Sequence, residues 1–168
     1  MGILSAIFKK KSQEPAQTDK KTVRHSVAGT SFRQDAILAM GKKNPDFDLT
    51  KRDLFKRGRE TPVYEYTFNP KKAELVPEPE NPHDPNAIKV LVDGVHVGYI
   101  KAGSCAHLLK VIREGRIEKV EARIFGGKSK CLTTYDADAK NLDDYELVKD
   151  SSPFGVSLQI TETKKPEA

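Results

Sequence analysis

Ile88, Val90 and Val92 alternate with Lys89 and Leu91 up to Asp93-Gly94, and Val95, Val97 and Tyr99 resume the alternation beyond it. A period of two marks a strand buried on one face only. Asp-Gly between two such runs is the pairing favoured in two-residue hairpins, because both central positions need positive φ. An antiparallel hairpin is therefore expected mid-chain, and the remaining apolar runs have to pack around it.

Those runs are short and mostly of the same kind. Val23 to Ala28 reads as a strand ending at Gly29, and Tyr64, Tyr66 and Phe68 alternate with Glu65 and Thr67 in a second. Lys72 to Pro77 is expected to pair back with that second strand. Val120, Ala122 and Ile124 form one face of a further strand, with Glu121, Arg123 and Phe125 on the other. After a Gly126-Gly127 break, Leu132 to Tyr135 continues the sheet, and Phe154, Val156, Leu158 and Ile160 alternate in the last strand.

Helical spacing occurs three times. Phe32, Ala36, Ile37 and Met40 form one stripe, stopped by Gly41. Asp48 to Gly58 forms another, burying Leu54 and Phe55 and exposing Lys51, Arg52, Lys56 and Arg57. Cys105, Leu108, Leu109 and Ile112 form the third, with Ser104 placed to cap its start and Gly115 to end it. Asp136 to Asp144 reads as an acidic surface loop. Strands and helices do not alternate regularly, so the expected fold is mainly β with a few short helices (α+β), a small mixed barrel rather than a doubly wound parallel sheet. One domain is expected over residues 22–162, with polar tails at 1–21 and 163–168.

Composition narrows the function classes. Charged residues make up 32% of the 168-residue chain and the hydrophobic set 37%, and no apolar run reaches the roughly 20 residues that span a bilayer. Met1 to Phe8 precedes Lys9-Lys10-Lys11, the reverse of a secretory signal, and Ala6 stands where N-myristoylation wants Ser or Thr. A cytoplasmic protein without integral membrane association is expected. Two cysteines, Cys105 and Cys131, point to a reducing compartment, with Cys105 a small core residue. Four scattered histidines show no zinc spacing, so no metal or cofactor is expected. The formal charge of +5 is unevenly spread: residues 22–60 hold nine Lys/Arg against five Asp/Glu, and residues 101–130 eight against three. That leaves two readings open, ordinary solvated faces or a stripe that binds a polyanion.

Gly126-Gly127-Lys128-Ser129 matches the end of a phosphate loop, but the required first glycine falls on Ala122 and a strand, not a helix, should follow. His83-Asp84 lacks a nucleophile or second carboxylate to complete an active site, so no enzyme is expected.

The segment from Glu78 to Val90 reads Glu-Pro-Glu-Asn-Pro-His-Asp-Pro-Asn-Ala-Ile-Lys-Val. Together with Val27-Ala-Gly-Thr30 upstream and Val97-Gly-Tyr-Ile100 downstream, it resembles the HIRAN domain over roughly residues 23–126, and more loosely to 162. That family occurs as the N-terminal module of fork-remodelling helicases and as small free-standing bacterial and phage proteins. The resemblance implies an OB-like β-barrel that binds the 3′ end of single-stranded DNA. It assigns Phe32 and His83 to the pair of rings that clasp the terminal base, Asp84 to the terminal 3′-hydroxyl, and Asn81 to a base contact. Phe125 matches a second stacking aromatic and Tyr99 a phosphate-contacting histidine. Ser31 stands in place of the family arginine and Ala102 in place of a phosphate-contacting lysine, with Arg33 and Lys101 close enough to substitute. The stretch from about Lys42 to Glu60 is absent from the helicase modules; its Lys51, Arg52, Lys56, Arg57 and Arg59 form either a phosphate track or a solvated helix face. The implied function is binding of single-stranded DNA or RNA ends in repair or replication, with a helicase or nuclease as partner. The alternative is a protein-interaction adaptor that keeps the barrel without nucleic-acid affinity.

Overall fold

A computed structural model describes residues 19–58, 60–69 and 71–164. Strands β1 (Lys20–Ala28), β5 (Lys71–Pro77), β6 (Ile88–Val92), β7 (Val95–Ile100), β8 (Ile117–Thr133) and β9 (Glu146–Thr163) pair antiparallel in the order β8-β5-β6-β7-β1-β9, and β9 returns to β8. The sheet is thus a closed six-stranded barrel, an arrangement that leaves no unpaired barrel edge. The expected β-rich OB-like barrel is what the chain forms. Strand pairing reaches slightly past the expected domain limits, with Lys20 opposite Thr163 and Lys21 opposite Glu162. The rest of the expected N-terminal tail, residues 1–18, and residues 165–168 lie outside the described residues, as does Arg59.

The central hairpin forms as its sequence requires: Asp93 and Gly94 both take positive φ, 48° and 78°, between β6 and β7. Ile88, Val90, Val92 and Val97 point inward with Leu158 and Ile160 and are fully buried. Each such side chain contributes about 1.5–3 kcal/mol relative to exposure. Helix α3 (Ala102–Arg113) packs onto this core through Cys105 and Leu108. Its N-cap is Lys101 and not Ser104, which sits in the first turn and donates its amide to the Lys101 carbonyl at 2.9 Å.

Two expected pairings differ. The Tyr64–Phe68 run is not one strand: Glu65 bends the chain, so β3 (Val63–Tyr64) pairs with β8 while β4 (Tyr66–Thr67) pairs with β2 (Lys42–Lys43). Strand β5 therefore does not pair back with it but lies between β6 and β8. The Gly126-Gly127 break is a bulge inside the continuous β8, with both glycines at positive φ. Strand, not helix, follows Lys128-Ser129, as the phosphate-loop comparison requires for rejection.

Residues 42–58 and 60–68 build an annex on the far half of the β8–β9 hairpin. The expected helix over 48–58 divides into a 3-10 turn (Pro45–Asp48) and helix α2 (Lys51–Lys56). Thr50 and Asp53 start α2 as a capping box, each side chain accepting the other's backbone amide, at 3.2 and 2.9 Å. Leu54 is buried with Val63 and Leu132 in a second small core, edged by Phe55 and Leu147. Lys130 is buried there too, donating to the Leu49 carbonyl and lying 5.1 Å from the Phe47 ring centre. Arg57, at the C-terminal cap of α2, is held by Asp46 at 3.0 Å.

Candidate nucleic-acid interface

The ten residues from Glu78 to Ala87 join β5 to β6, and their polar side chains are spent largely on holding the loop's shape. The Glu78 amide donates to the Ala87 carbonyl at 2.9 Å, closing the base. The Asn81 amide oxygen accepts from the backbone of His83 (3.0 Å) and Asp84 (3.2 Å), and Asp84 Oδ1 accepts from Asn86 N at 2.8 Å. These are Asx-type turns, which explains why Asn, Asp and Asn recur with prolines between them. Asn81 Nδ2 donates to Glu78 Oε2 at 3.1 Å, so both ends of this amide are engaged inside the loop. The Asn81 side chain thus holds the loop in shape. His83 is exposed. Asp84 is half-buried, and its second carboxylate oxygen has no hydrogen-bond partner among the described residues. Asp84 lies near the start of α3: after burial itself, its charge is what pushes the Cys105 thiol up from its ordinary value. That helix start carries no side-chain cap, and Lys101 beside it is exposed.

Strand β1 ends at Gly29 and runs into a 3-10 turn (Thr30–Arg33) followed by α1 (Gln34–Ala39). Gln34 pins this turn. Its Nε2 donates to the carbonyls of Thr30 (2.8 Å) and Phe154 (2.9 Å), and its Oε1 accepts from Phe154 N at 2.8 Å. On this fixed backbone Phe32 is 87% exposed, flanked by exposed Ser31 and Arg33. The helical stripe expected through Phe32 buries only Ile37 fully, with Ala36 and Met40 half-buried. Phe125, 58% exposed, stands opposite Gly155, and its ring fills the space where a Cβ at 155 would meet Cζ at 2.5 Å. Because Gln34 ties the Phe32 turn to Phe154, the residue before Gly155, neighbouring stretches of backbone carry these two exposed rings.

Between the loop and the turn lies a charged row on the outer face of the barrel. Ala28, Tyr99, Lys89 and Val76 are successive cross-strand partners on β1, β7, β6 and β5. Lys89 forms an ion pair with Glu78, which is the main reason the Glu78 carboxyl is held below its usual range; Asn81 and the Tyr99 hydroxyl add to it. Tyr99 was expected on the face of Val95 and Val97. A bulge in β7 turns it outward instead, against His96, with ring centres 4.9 Å apart and planes at 89°. Burial lowers the His96 pKa, and the nearby Arg33 and Lys89 lower it further. Arg33 therefore faces the same row from the turn above. Phe32 and His83 make no ring contact with each other or with any other described residue. Sequence reasoning did not single out Glu78, Lys89, His96 or Gln34. Lys89 and His96 sit at outward positions flanking the hairpin turn, which was the available signal.

The lowered histidines give a pH expectation. His96 and His25 are both below 6.5, in each case first through burial. Protonation is then easier in the unfolded chain, so their stabilising contribution is complete above about pH 6.5 and is lost as pH falls towards their folded values. The urea midpoint is expected to drop between pH 7 and 5.5, and to drop less in His96→Asn. An unchanged pH slope in that variant would remove His96 from the account.

Among the described residues no group of His, Cys, Asp and Glu is placed to hold a metal ion, and no helix is long and apolar enough to cross a membrane. No curated protein matches the chain significantly, and no solved structure does. The family model of the HIRAN domain matches residues 59–141, starting later and ending later than the 23–126 expected from the sequence motifs. The match contains the Glu78–Ala87 loop, the charged row on β6 and β7 and Phe125, but not the turn bearing Phe32. With its closed antiparallel barrel, the chain belongs to the HIRAN domain family, whose domains are in general nucleic-acid-binding.

Proposed function

We propose that this protein binds the free 3′ end of single-stranded DNA as an accessory module in repair or replication, without a reaction of its own. The observation that carries this reading is an apolar ring, Phe32, held almost fully in solvent on a pinned turn, with Arg33 and the Lys89–Glu78 pair beside it and a loop offering one free carboxylate oxygen. Base stacking on an aromatic ring is worth about 1–3 kcal/mol and is tolerant of sequence. In this arrangement Phe32 takes the terminal base, with His83 closing on its other side, and Phe125 takes a following one. Asp84 accepts the terminal 3′-hydroxyl, which a carboxylate can do for a hydroxyl but not for a phosphate. Arg33, Lys101 and the uncapped amides at the start of α3 supply contacts for phosphates. Tyr99 supports the row through Glu78 and offers its ring edge, while Ser31 leaves space beside Phe32.

The test compares one oligonucleotide ending in a 3′-hydroxyl with the same one ending in a 3′-phosphate. A phosphate forced to within about 4 Å of a half-buried carboxylate costs on the order of 1–4 kcal/mol, so at least about fivefold weaker binding is expected. Asp84→Asn should abolish most of that discrimination. Equal affinities for both ends in the unaltered protein would reject end recognition. Ser31 and Ala102, where the family has cations, favour the competing reading of a protein-interaction adaptor. Capture of a helicase or nuclease that survives nuclease digestion, with no oligonucleotide bound at all, would support that reading instead.

A further inference from the structure

The annex and the barrel enclose a cleft of about 330 Å³ next to the terminal pocket. One wall is the bent β3–β4 segment, with Tyr64, Tyr66 and Phe68; the other is Ile124, Phe125 and Gly126 of β8. Tyr64 is 41% exposed although it belongs to a paired strand. The wall is fixed: Asn44 donates its side-chain amide to the Tyr64 carbonyl at 2.9 Å and its backbone amide to the Glu65 carbonyl at 2.8 Å. Among the described residues, no acidic one lines the cleft. Lys42 and Lys43 of β2, directly opposite the lining residues Thr67 and Tyr66, are both exposed. Phe125 belongs to this cleft and also stands next to the Phe32 turn, so the two sites are continuous through one ring.

We infer that this cleft is a second nucleotide-binding subsite, in which an internal base of the same single strand stacks on Tyr64 and Tyr66 while Lys42 and Lys43 contact its phosphates. The occupant is single-stranded nucleic acid because the rings, the absence of carboxylates among the described lining residues and the β2 cations match a base on a polyanionic backbone. An apolar peptide would have no use for the paired lysines. The inference rests on the end-binding reading and extends it: the strand enters at the Asp84 loop, passes Phe32 and Phe125, and continues into the annex. It also gives the lysine pair of β2 a role, through its pairing with β4 and not through the α2 cations that the sequence first suggests.

The experiment measures binding of oligothymidylates of three and eight nucleotides, each with a 3′-hydroxyl or a 3′-phosphate. Tyr64→Ala is expected to weaken the eight-nucleotide strand by about 5- to 150-fold, the range for one stacked base, and to leave the three-nucleotide strand unchanged. Tyr64→Phe, which keeps the ring, should bind like the unaltered protein. Replacing Lys42 and Lys43 by Gln removes two exposed charges without touching either core, and should lower the salt dependence of the eight-nucleotide strand by about 0.7 per lysine. If Tyr64→Ala and the lysine pair leave the eight-nucleotide affinity and its salt slope unchanged, the subsite is overturned, including the case in which the cleft takes a peptide or small apolar ligand. Failure of the end-binding reading looks different: the 3′-phosphate strands bind as well as the 3′-hydroxyl ones, whatever Tyr64 does. No binding of any strand by the unaltered protein would sink both.

Discussion

Gly98→Ala is expected to destabilise the barrel by about 2–5 kcal/mol, a large share of the roughly 5–15 kcal/mol that holds a domain folded. Two independent costs meet at this residue. Its φ is 149°, a conformation that side chains rarely adopt, and an added Cβ would lie 2.2 Å from the Ala28 carbonyl oxygen and 2.7 Å from Val27 Cγ1. Backbone strain of that kind costs about 1–3 kcal/mol, and overfilling a packed site about the same. The neighbour cannot step aside cheaply, because it is the backbone of β1 at the point where Val27 and Ala28 pair with Ile100 and Tyr99. Displacing β1 there would also release the turn that carries Phe32. The control is Gly103→Ala in the first turn of α3, where the new Cβ meets nothing within 4 Å and φ is ordinary. There the same substitution should be neutral or stabilising by up to about 1 kcal/mol. Urea unfolding of the two variants decides the matter, and equal midpoints would mean that β1 and β7 do not approach as described.

That glycine illustrates which parts of this fold a sequence reader can reach. The Val97-Gly-Tyr-Ile100 motif marks Gly98 as special, and the Asp93-Gly94 turn and the apolar stripe of α3 are legible because each is set within a dozen residues. The loop from Glu78 to Ala87 is legible for the same reason, its Asx turns being local. What the pattern does not carry is decided by distant partners. Strand β5 looks as if it should fold back on Tyr64–Phe68, but closing the barrel requires it to bridge β6 and β8. Tyr99 alternates with Val97 on paper, and a one-residue bulge moves it to the outer face beside His96. The bend at Glu65, which opens the aromatic cleft, comes from β3 and β4 serving different partners. The site is therefore half readable: residue types and the loop are in the sequence, while the Gln34 pin, the Lys89–Glu78 pair and the cleft wall arise only on folding.

Phe32→Ala is expected to weaken binding of a 3′-hydroxyl oligonucleotide by about 5- to 150-fold, equivalent to the 1–3 kcal/mol of one stacked base, while leaving the unfolding midpoint almost unmoved. Both halves follow from the same geometry. Phe32 looks like core when counted at helical spacing with Ile37 and Met40. However, the chain enters α1 through a 3-10 turn with three residues per turn, so the stripe falls out of phase at its first member. The ring is left 87% exposed, and deleting it creates no cavity, so stability should change by no more than about 0.5 kcal/mol. Its backbone stays in place because Gln34, not the ring, ties the turn to Phe154. Phe32→Leu separates the contributions further: leucine keeps apolar surface but has no π-face, so it should bind nearly as weakly as alanine, whereas Phe32→Tyr should bind normally. Titration of the three variants, with unfolding curves alongside, is the measurement. An unfolding midpoint that falls with the affinity would make Phe32 a packing residue. Undiminished affinity in Phe32→Ala would mean that the strand's last base rests elsewhere on the barrel.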